Sequence, residues 1–520
     1  MSRTRRSFLA TSIASAGALA LSGAWRSLRA ATPRFTTDPF KLGVASGYPT
    51  PASVVLWTRL APSPLEPGGG VPPTVIPVDW EVATDDKMSN VVRKGTDYAT
   101  PEWAHSIHAE PTGLEPARDY WYRFTVGDVR SPVGRTRTAP APNAPLARLK
   151  LAVASCQQYE QGYFNAYRHM ISGNPDLIIH TGDYIYELTW GEDLVRSHGS
   201  PEAYTLDDYR ARYALYKSDR DLAAAHAACP WLVTWDDHEV DNDYAGATSE
   251  ENDDPELFIA RRTAAYRAYY EHMPLPRRAL PLGSSMRLYA QRAFGDLASI
   301  CMLDQRQYRS PEACSHPGRG GGNRVSPADC PELERASRQM LGERQESWLF
   351  AALASSKARW NLLGQGTLMS YLNEATPARP RYWTDAWNGY PAARARLIAA
   401  LAERQTANPV VLSGDIHSFI VGGLHREASD LASPVVASEL VTTSISSQGV
   451  PQKTLDAWRA NNANLLVADG QHRGYLRLDV THERLQADLV AMNSVKQAES
   501  GGKALQSFVI QAGRAGPVAA

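Results

Sequence analysis

The sequence predicts an α/β protein in two parts, an all-β unit followed by a larger domain of alternating strands and helices. Three observations carry this reading. Across residues 35–138, short runs of alternating apolar and polar residues are separated by turn residues, with no helical period. The stretch Thr138-Ala139-Pro140-Ala141-Pro142-Asn143-Ala144-Pro145 then breaks the pattern, because its prolines continue neither a sheet nor a helix. Beyond it, short apolar runs alternate with segments of helical period, the pattern of an α/β layer domain.

The elements follow in order. Residues 1–30 carry Arg3, Arg5, Arg6, Arg26 and Arg29 and no acidic residue. A cationic start, a mildly apolar middle and small residues near Ala30 make an export signal. Arg5-Arg6 followed by Ser7-Phe8-Leu9 resembles a twin-arginine signal, which implies the twin-arginine export machinery as a partner and a periplasmic or secreted product. The competing reading is an N-terminal membrane anchor, against which Ser and Gly dilute the apolar stretch. The signal also distorts the charge balance. The 520 residues hold 54 Lys+Arg against 55 Asp+Glu, net −1; without the five arginines, 49 basic face 55 acidic residues, net −6. No global basic field exists to hold nucleic acid.

Residues 35–138 form the first domain. Its clearest strands are Val54-Val55-Leu56-Trp57, Val78-Asp79-Trp80-Glu81-Val82 and Tyr120-Trp121-Tyr122-Arg123-Phe124-Thr125-Val126. Leu114-Glu115-Pro116 ahead of Tyr120 and Tyr122 resembles the tyrosine corner of immunoglobulin-like and fibronectin-type sandwiches, so an all-β sandwich is expected. Residues 139–147 are the linker and 148–500 the second domain. There, residues 149–154, 176–180, 231–235 and 409–412 read as strands, and 163–171, 206–216, 256–270, 342–355 and 392–405 as helices. Residues 309–333, with Gly320-Gly321-Gly322 at their centre, read as a long surface loop. The tail, residues 501–520, shows no clear period, and no element is expected beyond about Asn493.

Chemistry gathers where strands end. The four apolar runs lead into Ser155-Cys156, into Thr181-Gly182-Asp183-Tyr184-Ile185-Tyr186, into Asp236-Asp237-His238-Glu239 and into Ser413-Gly414-Asp415-Ile416-His417. In an open α/β sheet, loops at the carboxyl ends of strands converge on one crevice. Carboxylates and imidazoles crowded there repel or desolvate badly unless a cation holds them. Oxygen ligands mixed with imidazole, phenol and thiol suit iron better than zinc alone. Each motif is weak singly; their joint occurrence in this order is specific.

Gly182-Asp183-x-x-Tyr186, Asp236-Asp237-His238-Glu239 and Gly414-Asp415-x-His417 resemble the calcineurin-like and purple-acid-phosphatase metallophosphoesterases. Ser155-Cys156 stands where that pattern has its first Asp-x-His, a substitution that looks like the alkaline phosphatase D (PhoD-like) family. Ser46-Gly47-Tyr48-Pro49, the run from Leu303 to Arg309, Ser356-Lys357-Ala358-Arg359-Trp360-Asn361 and the run from Glu439 to Ser447 agree. The resemblance covers nearly the whole chain beyond the signal. It implies a four-layer αββα domain behind the β-sandwich.

It also implies Fe3+ held by Cys156, Asp183, Tyr186 and His417, with Asp183 bridging to a second divalent site. That site is Ca2+ in the best-known members, with Asp237 and Asp415 as further ligands. Metal-bridged hydroxide is then the nucleophile. His238 faces the phosphate as donor or general acid, or merely orients Asp237, and Glu239 supports His238. The wider superfamily supplies a further His from a strand; here Asn361-Leu362-Leu363-Gly364-Gln365 takes its place, so water, substrate or an amide such as Gln365 completes the second site. The implied activity is hydrolysis of phosphate mono- and diesters for phosphate acquisition, and the alternative is a phospholipase D-like phosphodiesterase acting on lipid head groups.

The remaining signals are structural. Five cysteines exclude a fully paired framework. Cys314 and Cys330 bracket the Gly-rich loop and are expected to form a disulfide, Cys301 reads as a core thiol, and Cys229 has no clear partner. Arg261-Arg262 reads as a solvated or i,i+4-paired helix face. Arg277-Arg278 sits in a turn, where a phosphate-guiding role is the lesser reading. Tyr382, Trp383, Trp387 and Tyr390 either line the pocket or pack beneath a loop.

Overall fold

A computed structural model describes residues 34–520. The expected signal, residues 1–30, lies outside the described residues.

The protein is α/β, with a ten-stranded and a seven-stranded sheet at its centre. In the first, Arg148–Ala154, Leu177–His180, Pro230–Val233 and Val44–Gly47 run parallel in that order. In the second, Ala298–Met302, Trp360–Gly364, Pro409–Ser413 and Val435–Val441 do the same. These short Val/Ile/Leu runs are buried on both faces, as central parallel strands require. One apolar cluster joins Leu151, Val153, Ile179 and Leu232 of the first sheet to Ile300, Leu362, Val410 and Leu412 of the second. The alternate side chains Cys301, Leu363 and Val411 face the other way, onto Leu349 and Leu353 of helix Gly342–Ser355 and Leu397 and Leu401 of helix Pro391–Glu403. The period of two in each strand thus sends one set of residues to the other sheet and the next to the helices.

The N-terminal strands divide between two sheets. Val44–Gly47, Val55–Arg59 and Ser106–Ala109 close the edge of the ten-stranded sheet. Ile76–Ala83, Val91–Ala99, Asp119–Val126, Val129–Arg130 and Gly134–Arg137 form a separate five-stranded one. Val44, Leu56 and Ile107 share a core with Val78, Val82, Tyr122 and Phe124 across the gap between them. Tyr120 Oη accepts a hydrogen bond from the Glu115 amide at 2.8 Å, the bond a tyrosine corner makes. The proline-rich stretch lies against the body, where Ala144 O accepts from the Asp296 amide and Asp296 Oδ1 from the Leu146 amide.

Several expectations need correction. The tail is structured: Gly502–Gln511 pairs antiparallel with Arg484–Met492, and Val518–Ala519 forms the sheet edge. Its outer residues are exposed, so the apolar alternation that marks a strand is missing over most of its length. Arg261 is not a solvated side chain; it is 6% exposed and holds Asp241 and Glu202 at 2.8 and 2.7 Å. Arg262 likewise turns inward, onto the Gly246 and Ser284 carbonyls. The cysteines need no correction: the expected Cys314–Cys330 disulfide is present, Cys301 is the expected buried thiol, and Cys156 and Cys229 are buried free thiols.

Candidate metal centre and active site

The parallel strands of both sheets deliver their carboxyl ends to one place. Arg148–Ala154 leads to Cys156, Leu177–His180 to Asp183 and Tyr186, Pro230–Val233 to Asp236 and Asp237, and Pro409–Ser413 to Asp415 and His417. The turns are tight: Cys156, Asp183, Asp415 and His417 all have positive φ, between 52° and 65°. Non-glycine residues in this region cost about 1–3 kcal/mol each and cluster at functional sites. Close approach also needs glycine, since a Cβ on Gly182 (φ 118°) would lie 2.5 Å from Asp236 Cβ.

The side chains converge. Cys156, Asp183 and His417 offer ligand atoms that all lie within 4.8 Å of one another. Tyr186 Oη donates to Asp183 Oδ2 at 3.0 Å and lies 3.0 Å from His417 Nε2. Ser447 Oγ bonds Tyr186 Oη at 2.9 Å, and His417 Nδ1 donates to Gln448 O at 2.8 Å, which leaves Nε2 as the ligating nitrogen. A second group joins Asp183 to Asp237 and His238, and a third joins Asp237 to Asp243 and Asp385. Asp415 falls in none of these groups; it is half-buried at the edge, on a cavity of about 160 Å3 lined by Leu368, Leu372, Trp383, Ile416 and Trp458.

The charges are out of balance without a cation. Burial pushes the Cys156 thiol and the Tyr186 phenol well up, and Asp183 adds to both. Burial and then the Asp237 charge raise the Asp183 carboxyl well above the usual range, and Asp183 Oδ1 is buried with no partner. Burial, then the fields of Asp236 and Asp385, raises Asp415 similarly. Burial pushes His417 down to about 3, so it is the neutral imidazole a metal requires. An orphaned buried carboxylate oxygen beside a thiol, a phenol and a neutral imidazole fits a cation at this point.

Arg306 is the internal counterion, and its role was not evident from sequence. Fully buried, it reaches Asp236 at 2.5 Å, forks onto Asp385 at 2.6 and 2.9 Å and approaches Asp237 at 3.4 Å. Glu187 was missed as well: its Oε2 holds His238 Nδ1 at 2.8 Å. Burial lowers the His238 pKa, but Glu187, Asp237 and Asp183 override it, and the net direction is well up. Contrary to the expectation from sequence, Glu239 does not support His238. Its carboxylate accepts from the amides of Asp183, Tyr184 and Asp236 and so pins two of the ligand turns to each other. Gln365 is spent on Thr367 O, Ser413 Oγ and Trp387 Nε1, whereas Asp243 and Asp385 form a ligand group with Asp237. The aromatic cluster splits: Trp387 and Tyr390 are core, and Trp383 lines the cavity beside Asp415.

With this geometry established, similarity to known proteins assigns the family. Residues 151–489 match the model of the PhoD-like phosphatases, and residues 26–140 match that of their N-terminal domain. The chain belongs to the PhoD-like phosphatase family. It is 46% identical over 493 residues to alkaline phosphatase D of Bacillus subtilis, covering 94% of this chain and 83% of that protein. A solved structure of PhoD superposes with a TM-score of 0.89 at 45% identity, covering 94% of this chain and 93% of that one. As a PhoD-like phosphatase the chain is a phosphoric ester hydrolase. Among the described residues of this phosphatase, no helix is long and apolar enough to cross a membrane.

Proposed function

We propose that this PhoD-like phosphatase is an exported, metal-dependent alkaline phosphatase and phosphodiesterase serving phosphate acquisition. On this reading Fe3+ is held by Cys156, Asp183, Tyr186 and His417. Asp183, Asp237 and Asp415 would hold Ca2+, and Asp243 and Asp385, which form a ligand group with Asp237, would assist. The two central sheets with their flanking helices are the four-layer αββα arrangement of calcineurin-like enzymes, and the five-stranded sheet with the N-terminal edge strands is the β-sandwich. The observation that carries the reading is Asp183 Oδ1, buried without a partner where two candidate ligand groups meet.

Bound cations supply the charge that acidifies water and offsets negative charge growing on the phosphoryl oxygens. The chain's own residues do the rest. Cys156, Tyr186 and Asp183 bring anionic donors that favour a trivalent ion, and the carboxylates present oxygen to a hard divalent one. His238, held at Nδ1 by Glu187 and raised in pKa by three carboxylates, keeps a proton at Nε2 for the departing ester oxygen. Arg306 fixes Asp237 and Asp236 without occupying the crevice. The apolar cavity beside Asp415 has room for a second ester substituent, which favours diesters among the substrates.

The test is His238→Asn assayed on phosphate esters graded by leaving-group acidity. Loss of a general acid costs about 10²–10⁴-fold on poor leaving groups and much less on p-nitrophenol. An equal loss on every ester assigns His238 a positioning role and removes the proton-donor step. Replacing Arg5-Arg6 by Lys-Lys tests the twin-arginine route, and unchanged appearance outside the cytoplasm would contradict that route.

A further inference from the structure

Away from the metal-ligand groups, the protein contains a cavity of about 300 Å3 at the lower end of ligand-pocket sizes. Arg278, Arg287 and Arg292 bound it, together with Tyr48, Tyr289 and Trp348. Among the described residues, none of the three arginines has a carboxylate within 4.0 Å. Among the described residues the Arg278 and Arg287 side chains donate no hydrogen bond, and that of Arg292 donates only to the Tyr48 and Gln291 carbonyls. The nearby carboxylate, Glu110, accepts from the Arg277 amide at 2.6 Å, and the Arg277 side chain is itself paired with Asp97. Among the described residues about half of the other arginines pair with Asp or Glu, in a chain whose residues beyond 30 total −6.

Two of the three guanidinium groups stack on aromatic rings. Arg292 lies 5.2 Å over the Tyr48 ring, whose hydroxyl is fixed to Val233 O at 2.8 Å. Arg287 lies 4.8 Å over Tyr289, which packs at 4.8 Å against Trp348. Stacking of this kind leaves the whole Arg287 N–H fork and the Arg292 Nη2 donors free, and a free fork matches phosphate oxygens in pairs. Three like charges around one concavity repel unless an anion sits between them. Burial and the neighbouring Arg278 already pull the Arg292 pKa down to about 10.

We infer that this cavity is a second anion site, which binds a multiply charged oxyanion of the oligophosphate class. Neither its residues nor its cavity belong to the metal-ligand groups, so it stands whether or not the metal assignment does. A phosphate-bearing polymer or free inorganic phosphate would each satisfy the chemistry.

The test uses the intact metal-loaded enzyme and the Arg278→Ala/Arg287→Ala variant. Both side chains are exposed, so the fold is expected to survive, which a melting curve checks. The probes are myo-inositol hexasulfate, which carries no phosphate ester to hydrolyse, inorganic phosphate and a polyphosphate chain. Binding of each is followed by calorimetry. Tryptophan fluorescence, read with and without Trp348→Phe, locates the hexasulfate. The inference predicts at least tenfold weaker hexasulfate binding in the variant, with p-nitrophenyl phosphate turnover unchanged. Weakening of polyphosphate alone assigns the polymer as ligand; weakening of phosphate as well assigns the free anion. Equal affinity of both proteins for all three probes overturns the site. So does a hexasulfate that competes with p-nitrophenyl phosphate and binds the variant as well as wild type, because it then sits at the metal centre.

Discussion

Replacing Arg306 by methionine probes how the carboxylate crevice is kept together. The guanidinium is 0% exposed and holds Asp236 at 2.5 Å, Asp385 through two bonds and Asp237 at 3.4 Å. Methionine fills similar volume but leaves Asp236 with its Oδ1 unpaired, and Asp236 Oδ2 has no partner to begin with. Arg309 still reaches Asp385, so that carboxylate is not wholly abandoned. Breaking a buried ion pair from one side costs about 3–5 kcal/mol. With two carboxylates losing their principal cation, Arg306→Met should fall near the top of that range. Urea denaturation at fixed metal concentration measures it, with Arg306→Lys as the control that keeps charge but loses the fork. The lysine variant should recover part of the loss. Because Asp237 is positioned through Arg306, activity should also drop, by about 10–100-fold. A stability change of Arg306→Met below about 1 kcal/mol would refute the claim that one buried arginine organises these carboxylates.

Other consequences follow from single side chains. Asp183→Asn should abolish p-nitrophenyl phosphate hydrolysis and leave the circular dichroism spectrum near wild type, because the residue sits in two ligand groups but in no apolar cluster; residual turnover above about 1% would contradict its bridging role. Lys217 is buried over Trp57 at 4.2 Å with its Nζ unpartnered, and burial lowers its pKa from 10.5 to about 7. The native state therefore sheds a proton near pH 7 that the unfolded chain keeps to about 10.5. This residue's contribution to stability rises with pH across that window, by at most about 5 kcal/mol. Lys217→Met should flatten that rise and stabilise the protein at pH 7; parallel stability–pH curves for both proteins would exclude it. Trp383→Ala and Trp458→Ala should raise KM for aryl diesters several-fold and leave small monoesters unaffected, which a comparison of bis(p-nitrophenyl) phosphate with p-nitrophenyl phosphate checks.

What was legible in the sequence is what depends on one segment at a time. Strands such as Leu177–His180 and Pro409–Ser413 announce themselves as short β-branched or aliphatic runs, and the polar residues after them mark the crevice by position alone. The five helices expected in the second domain appear at or within a few residues of their expected bounds. What was not legible depends on distant segments meeting. Arg306 stands between two glutamines, the nearby Asp304 takes only its amide, and its side-chain partners lie 70 and 79 positions away. Glu187 follows Tyr186 as an ordinary acidic residue, and only the fold places it against His238, 51 positions on. Glu239 sits next to His238 in sequence, yet its side chain turns to the amides of the neighbouring ligand turn. The C-terminal strand lacked a signal because only its last residues are buried.

On the proposed reading, the strand ends bearing Cys156, Asp183, Tyr186, Asp237, Asp415 and His417 hold a mixed-metal centre. Elemental analysis of the purified enzyme, read together with its visible spectrum, tests this most directly. Iron and calcium are expected in the active protein, with a charge-transfer band that Tyr186→Phe or Cys156→Ser shifts or removes. A colourless protein, fully active with zinc alone, would contradict that reading.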